Sequence, residues 1–278
     1  MTGSPKPEDT PVPEGMEKLS LKPKLYIDGF PKSGLHLAML FAITLVDGAA
    51  HETPWAGTFD GHGWTNHWMP DWRIYQHLAR LREGTFLKGH AGYRDDIAEF
   101  LNHMGAQMAF IYRDLRDVVV SQSFHVLSED DKKNSHADKD LYRALDSQEE
   151  VILACINGLE KYPGVIERWE MYAPWLDVEW VHKMRYEDMR LEPFSTAREF
   201  VLYVYNRIAA VNGINLEIED NAIAVQSLYM VMAAEERHRS PTYRKGIPGG
   251  WREWWTDRID KAFEDAGGHE WNRRIGYE

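Results

Sequence analysis

Apolar positions along the chain fall into short runs separated by longer stretches of helical periodicity. KLYID (residues 24–28), TFLKGH (85–90), QMAFIY (107–112) and DVEWVHKM (177–184) have the length and bounding residues of strands. The first three are each followed by a helical pattern, the first by residues 34–46. Residues 146–172 and 194–212 read as long helices. Strands alternating with helices predict parallel βαβ units, hence an α/β three-layer sandwich around a central, mainly parallel sheet. Two segments break the pattern. SEDDKKNSHADKD (128–140) has no apolar periodicity and reads as a mobile loop. HETPWAGTFDGHGWTNHWMPDW (51–72) crowds four of the chain's 11 tryptophans among glycines, prolines and polar residues, and reads as a loop-rich lid.

Composition narrows the class. A chain of 278 residues with no linker-like stretch after residue 23 is expected to form one domain over 24–278. Residues 1–23, with prolines and charges but no apolar signal core, read as a disordered tail. A net charge of −12 argues against bulk binding to nucleic acid or an anionic membrane, though not against a local basic pocket. The one cysteine, Cys155, allows no intrachain disulfide, so a reducing, cytoplasmic setting is the expectation. No apolar run approaches the roughly 18 residues of a membrane span.

Candidate chemistry begins at GFPKSGLHL (29–37), between the first strand and its helix. Such a junction points backbone N–H groups at one spot, and the helix dipole adds partial positive charge. The nucleoside-triphosphate loop needs Lys and then Ser or Thr after its second glycine. Here Leu35 and His36 follow Gly34, and the lysine, Lys32, lies inside the loop. A magnesium–nucleotide site is therefore disfavoured, while another anion remains open, as does a simple turn. In FIYRDLRDVVVSQSFH (110–125), Arg113 ends an apolar run and Ser121 follows two helical turns later. The two can converge on a phosphate. Equally, Arg113, Asp114, Arg116 and Asp117 can pair among themselves as a surface network. YRKGIPGGW (243–251) is a basic, glycine-rich loop, and MRYEDMRLEP (184–193) follows the last strand.

Taken in order, these stretches resemble the cytosolic-type sulfotransferases, which use 3′-phosphoadenosine 5′-phosphosulfate (PAPS). Pro31-Lys32-Ser33-Gly34 matches the family's PKSGTTW loop, RDLRDVVVS (113–121) its RDPRDVxxS motif, Tyr186-Glu187-Asp188 its YED element, and RKGIPGGW (244–251) its RKGxxGxW loop. FLKGHAG (86–92) falls where the family carries a lysine and its catalytic histidine. The resemblance runs from residue 24 to about 256 and implies a P-loop NTPase-like fold.

It implies further that His90 is the general base, that Lys32 stabilises the leaving group and that Lys88 helps hold the sulfuryl group. Ser33 and Gly34, with Leu35 and His36, would cradle the 5′-phosphate. Arg113, Ser121, Arg244, Lys245 and Gly246 would take the 3′-phosphate, and Tyr186 would meet the adenine. PAPS and its product adenosine 3′,5′-bisphosphate (PAP) are the cofactor pair, with no metal. The acceptor is a small molecule or a glycan, with Trp55, Trp64 and Trp68 as an aromatic platform or simply the core of the lid. Leu35, His36 and Leu37 depart from the loop's threonines and its adenine-stacking tryptophan. A small-molecule or nucleotide kinase, or an inactive nucleotide-binding homologue, are the competing readings.

Overall fold

The computed structural model describes residues 22–46, 55–59, 71–128, 139–160, 162–237 and 246–278. Strands β1 (Lys24–Gly29), β2 (Trp55–Phe59), β3 (Thr85–Gly89), β4 (Gln107–Tyr112) and β5 (His182–Arg185) form one sheet in the order β2-β3-β1-β4-β5. Every neighbouring pair is parallel. The helices are α1 (Leu35–Val46), α2 (Asp71–Leu78), α3 (Asp95–His103), α4 (Leu115–Val126), α5 (Lys139–Arg143) and α6 (Gln148–Asn157). They continue with α7 (Val165–Glu170), α8 (Tyr186–Leu191), α9 (Pro193–Asn212), α10 (Asp220–Arg237), α11 (Asp257–Asp265) and α12 (Gly268–Arg274).

Strand periodicity divides the core in two. Leu25, Ile27, Phe86, Ala109, Ile111 and Met184 face one layer, packed against α1, α9 and α10. Tyr26, Leu87, Met108 and Phe110 face the other, packed against α3, α4, α6, α7 and α11. A parallel sheet covered on both faces is the expected three-layer sandwich. No helix among the described residues is long and apolar enough to cross a membrane.

Three sequence expectations are corrected. Residues 146–172 are two helices, because Gly158 takes a left-handed φ of 85° and Pro163 cannot extend a helix; Leu159 and Tyr162 exchange backbone hydrogen bonds in the gap. The last strand is short: residues 173–177 form a 3₁₀ turn with Pro174 near its start, and only His182–Arg185 pair with β4. The tryptophan-rich segment contributes the edge strand β2, which its glycine obscured; the register shifts between Trp55 and Gly57, as a bulge does. Residues 129–138, in the stretch read as a mobile loop, and residues 1–21 lie outside the described residues.

Asp114 ties the second motif to the end of the chain. It caps α4 by accepting from the Arg116 N–H (2.9 Å), binds the Arg116 guanidinium (2.9 Å) and accepts from Asn272 Nδ2 (2.8 Å). Asp114, Arg116 and Asn272 are all buried. Asp114→Ala strips a cap and leaves Arg116 buried without that carboxylate, so it should destabilise the protein by about 3–5 kcal/mol. The midpoint of urea unfolding checks this; a change under about 1 kcal/mol would show that the cluster is not coupled to the fold.

Candidate active site

In a parallel sheet the carboxyl ends of the strands frame a crevice. The ends of β1, β3 and β4 carry the first three motifs. Phe30 fixes the start of the first loop by edge-to-face contacts with Trp169 and Tyr172. Lys32 then adopts φ 73°, a left-handed conformation uncommon for a side chain with a Cβ and one found where the surroundings impose it. Gly34 has φ 101°, and a Cβ there would lie 2.3 Å from the Tyr186 ring, so only glycine lets the loop lie against that ring. The N–H groups of Leu35 and His36 begin α1 without intrahelical acceptors.

These placements favour an anion. Ser33 is 1% exposed and its Oγ is buried with no hydrogen-bond partner. Burial, and secondarily the Arg113 charge, push the Lys32 ammonium down to about 8. An orphan hydroxyl, a destabilised ammonium and free helix N–H groups each gain from a bound oxyanion. The Leu35 and Leu37 side chains point into the core instead.

His90 stands one residue past β3, across from β1. Its Nδ1 donates to the Gly29 carbonyl at 2.6 Å, which sets Nε2 as the ring's acceptor. Lys88, on β3, pairs in register with Ile27. His36 is exposed, yet partial desolvation, and then the charges of Lys88, His90 and Lys32, hold its imidazole near 4. Those four residues therefore share one electrostatic neighbourhood.

The second cation site centres on Arg113, 8% exposed. Its Nη2 lies 3.2 Å from Asp117 Oδ2 and 3.4 Å from the Ile247 carbonyl, its Nε lies 3.9 Å from Glu187, and the guanidinium sits 4.2 Å from the Tyr186 ring centre. The Arg113–Asp117 and Arg116–Asp114 pairs of the competing reading do form, but in the interior, where they organise the site. Asp117 accepts from the Gly249 N–H (2.8 Å) and the Trp251 N–H (2.9 Å), clamping the glycine-rich loop to α4. Desolvation raises the Asp117 and Glu187 carboxyls, against the pull of Arg113 on both. Tyr186 is 4% exposed, and its hydroxyl donates to the Gly246 carbonyl at 3.1 Å. One ring thus bridges the first loop, Arg113 and the last motif. Ser121 lies two turns along α4 from Arg113 and is half-buried. Arg244 and Lys245, Trp64 and Trp68, and the Trp55 side chain on β2 lie outside the described residues.

Sequence reasoning named Asp117 as a pairing partner of Arg113 but missed the loop it holds and the part Glu187 plays beside Arg113. Asp117 stands four residues after Arg113, a helical spacing that signals pairing, but its two loop contacts come from 132 and 134 residues away. Glu187 accepts from Tyr277, and Arg185 covers the Tyr277 ring at 4.1 Å, so the last residues of the chain brace the Arg113 pocket. Asp117→Ala should free the loop and raise hydrogen exchange at the Gly249 and Trp251 amides by about 100-fold, the loss of two bonds to a charged acceptor. Exchange unchanged at both amides would mean that other contacts hold the loop.

The comparisons follow this geometry. The sulfotransferase domain model matches residues 22–270. The chain's sequence matches no curated protein. Among solved structures, mouse sulfotransferase SULT7A1 complexed with PAP is similar with a TM-score of 0.56 and 14% identity, over 89% of this chain and 84% of that one. Retinol dehydratase in complex with androsterone and inactive cofactor PAP is similar with a TM-score of 0.50 and 15% identity, over 87% and 80%. At such identities the likeness is one of fold, and it agrees with the P-loop NTPase-like expectation. The match across nearly all of the chain, on the motifs that build this crevice, places the protein in the sulfotransferase domain family.

Proposed function

We propose that the protein transfers a sulfuryl group from PAPS to a hydroxyl or amine of a small-molecule or glycan acceptor, with His90 as general base. One observation carries the reading: a buried, unpartnered Ser33 Oγ sits beside a lysine whose ammonium burial disfavours, at the start of a helix. That environment fits a phosphosulfate. When bound, PAPS supplies the sulfuryl group and a phosphate leaving group.

The chain's own residues do the rest. Ser33, Gly34 and the N–H groups of Leu35 and His36 receive the 5′-phosphate end. Lys32 places positive charge where the leaving oxygen becomes negative, which favours the transition state over the ground state. Lys88 adds charge on the sulfuryl side. His90, its Nδ1–H held by Gly29, presents Nε2 to take the acceptor's proton. Arg113, Ser121, Gly246, Arg244 and Lys245 read the 3′-phosphate. Tyr186 braces this end, meeting adenine only at its edge, since its ring is already in contact with Gly34 and Arg113. Trp55, Trp64 and Trp68 are assigned to the acceptor side. A solved neighbour holding androsterone is consistent with a small alcohol there.

Calorimetric titration with PAP, ADP and ATP–magnesium tests the reading. PAP should bind at least about 100-fold more tightly than ADP, because the 3′-phosphate is read by charged groups. Preference for ATP–magnesium would make the protein a kinase. His90→Ala should keep PAP affinity within about threefold while abolishing transfer; surviving turnover would remove His90 as base.

The pH dependence of PAP affinity follows from Lys32. Its ammonium titrates near 8 in the free protein, and a bound anion raises that value. Affinity should therefore hold below pH 8 and fall as pH rises above it, by up to about tenfold per unit, with proton uptake on binding. Calorimetry at pH 8.5 in two buffers of different ionisation enthalpy measures the uptake. Its absence would show that Lys32 does not meet the anion.

A further inference from the structure

Asp28 is the last side chain of β1 before the loop and is fully buried. A carboxylate in such a place is costly unless hydrogen bonds satisfy it. It accepts from the Tyr26 hydroxyl at 2.8 Å, from the Gly29 N–H at 2.6 Å, and from the Ala91 N–H at 3.0 and 3.1 Å to its two oxygens. All of these groups are donors, which suits the ionised carboxylate.

Two of the donors flank the catalytic histidine. Gly29 offers its N–H to Asp28 and its carbonyl to His90 Nδ1. Ala91 is the next residue after His90. The same corner is held from the 3₁₀ turn and the residue before it, where the Tyr172 hydroxyl donates to the His90 carbonyl (3.2 Å) and Trp175 Nε1 to the Ala91 carbonyl (3.0 Å). Among the described residues, Lys32 from the loop, His36 from α1 and Lys88 from β3 share this electrostatic neighbourhood. The positive charges of Lys32 and Lys88 oppose protonation of His90, yet a base must accept a proton to function.

We propose that Asp28 is the positioning residue and buried counter-charge of His90, joining the end of β1 to the residue after β3 and favouring the imidazolium that forms during transfer. This rests on the reading of His90 as the base. Asp28 itself precedes the first loop stretch, while its donors Gly29 and Ala91 belong to the loop and histidine stretches, so the carboxylate ties those two stretches together from the strand end.

Asp28→Asn separates charge from shape. The amide oxygen can still accept from Gly29 and Ala91, and the Tyr26 hydroxyl can reverse to accept from the amide. The readout is the titration of His90 in isotope-labelled full-length protein by NMR, assigned by the peak lost in His90→Ala. In Asp28→Asn the His90 midpoint should fall by about one pH unit, as expected on losing a nearby opposite charge. A second variant, Tyr26→Phe, keeps the carboxylate but removes one donor that neutralises it, and should move the midpoint in the opposite direction by a smaller amount. A midpoint unmoved in both variants overturns the proposal, and if Asp28→Asn does not fold, Tyr26→Phe decides alone. Turnover that survives His90→Ala, with the midpoints still moving, would remove the base assignment and leave the Asp28–His90 coupling standing.

Discussion

Lys32 and Arg113 are like charges that feel each other in a partly desolvated crevice, and the rest of the site is arranged around that repulsion. Two cations in low-dielectric surroundings are costly unless anions meet them. The structure answers differently at the two ends. Arg113 lies near Asp117 and Glu187, so its end is largely neutralised and geometrically fixed. Lys32 keeps a depressed ammonium beside an orphan hydroxyl. The Arg113 end has its charge compensated within the fold, and the Lys32 end is where a ligand anion gains most. A net charge of −12 is no obstacle to this, because the relevant field is set within a few ångströms by the groups in the crevice.

The two ends are held in register by one aromatic ring. Tyr186 touches Gly34 on the first loop, lies under Arg113 and reaches the Gly246 carbonyl. The YED element, which in the sequence looks like a helix start after a strand, is therefore the mechanical link between the other motifs. Its glutamate continues the link to Tyr277, and Asp114 continues it to Asn272. The carboxyl-terminal residues pack against the end of β5 and the start of α4, which explains why a site built near residues 30 and 113 requires side chains from residues 272–277.

The fold was legible where its strands are largely apolar runs, as central strands buried on both faces are. β1, β3 and β4 stood out for that reason, and α9 was found almost to the residue. β2 and the break between α6 and α7 were not legible: both depend on glycine, and a glycine signals freedom without saying how it is used. The site was legible in its cations and glycines, since Lys32, Gly34, Arg113 and Gly246 fall at motif positions. Its anions were not. Asp28 looked like the ordinary end of a strand, and Asp117 like a surface partner. Their roles come from backbone N–H groups distant in sequence, and backbone donors leave no trace in a side-chain pattern.

The departures at Leu35, His36 and Leu37 follow from what α1 must do. This helix is apolar almost all round, with Leu35, Leu37, Ala38, Leu40, Phe41 and Ala42 buried between the sheet and α10. A helix covered on both sides gains about 25 cal/mol for each Å² of apolar surface removed from water, so leucines at its first turn stabilise the layer where hydroxyls would not. The anion binding proposed above does not depend on those hydroxyls, because it is assigned to N–H groups, which any residue supplies, and to Ser33 and Lys32 just before the helix. His36 is the one position of this turn that faces outward, and it meets Lys32, Lys88 and His90 there. Held neutral by partial desolvation and then by those charges, it adds a ring to the wall of the crevice without adding a further positive charge to the cluster that the site already has to accommodate.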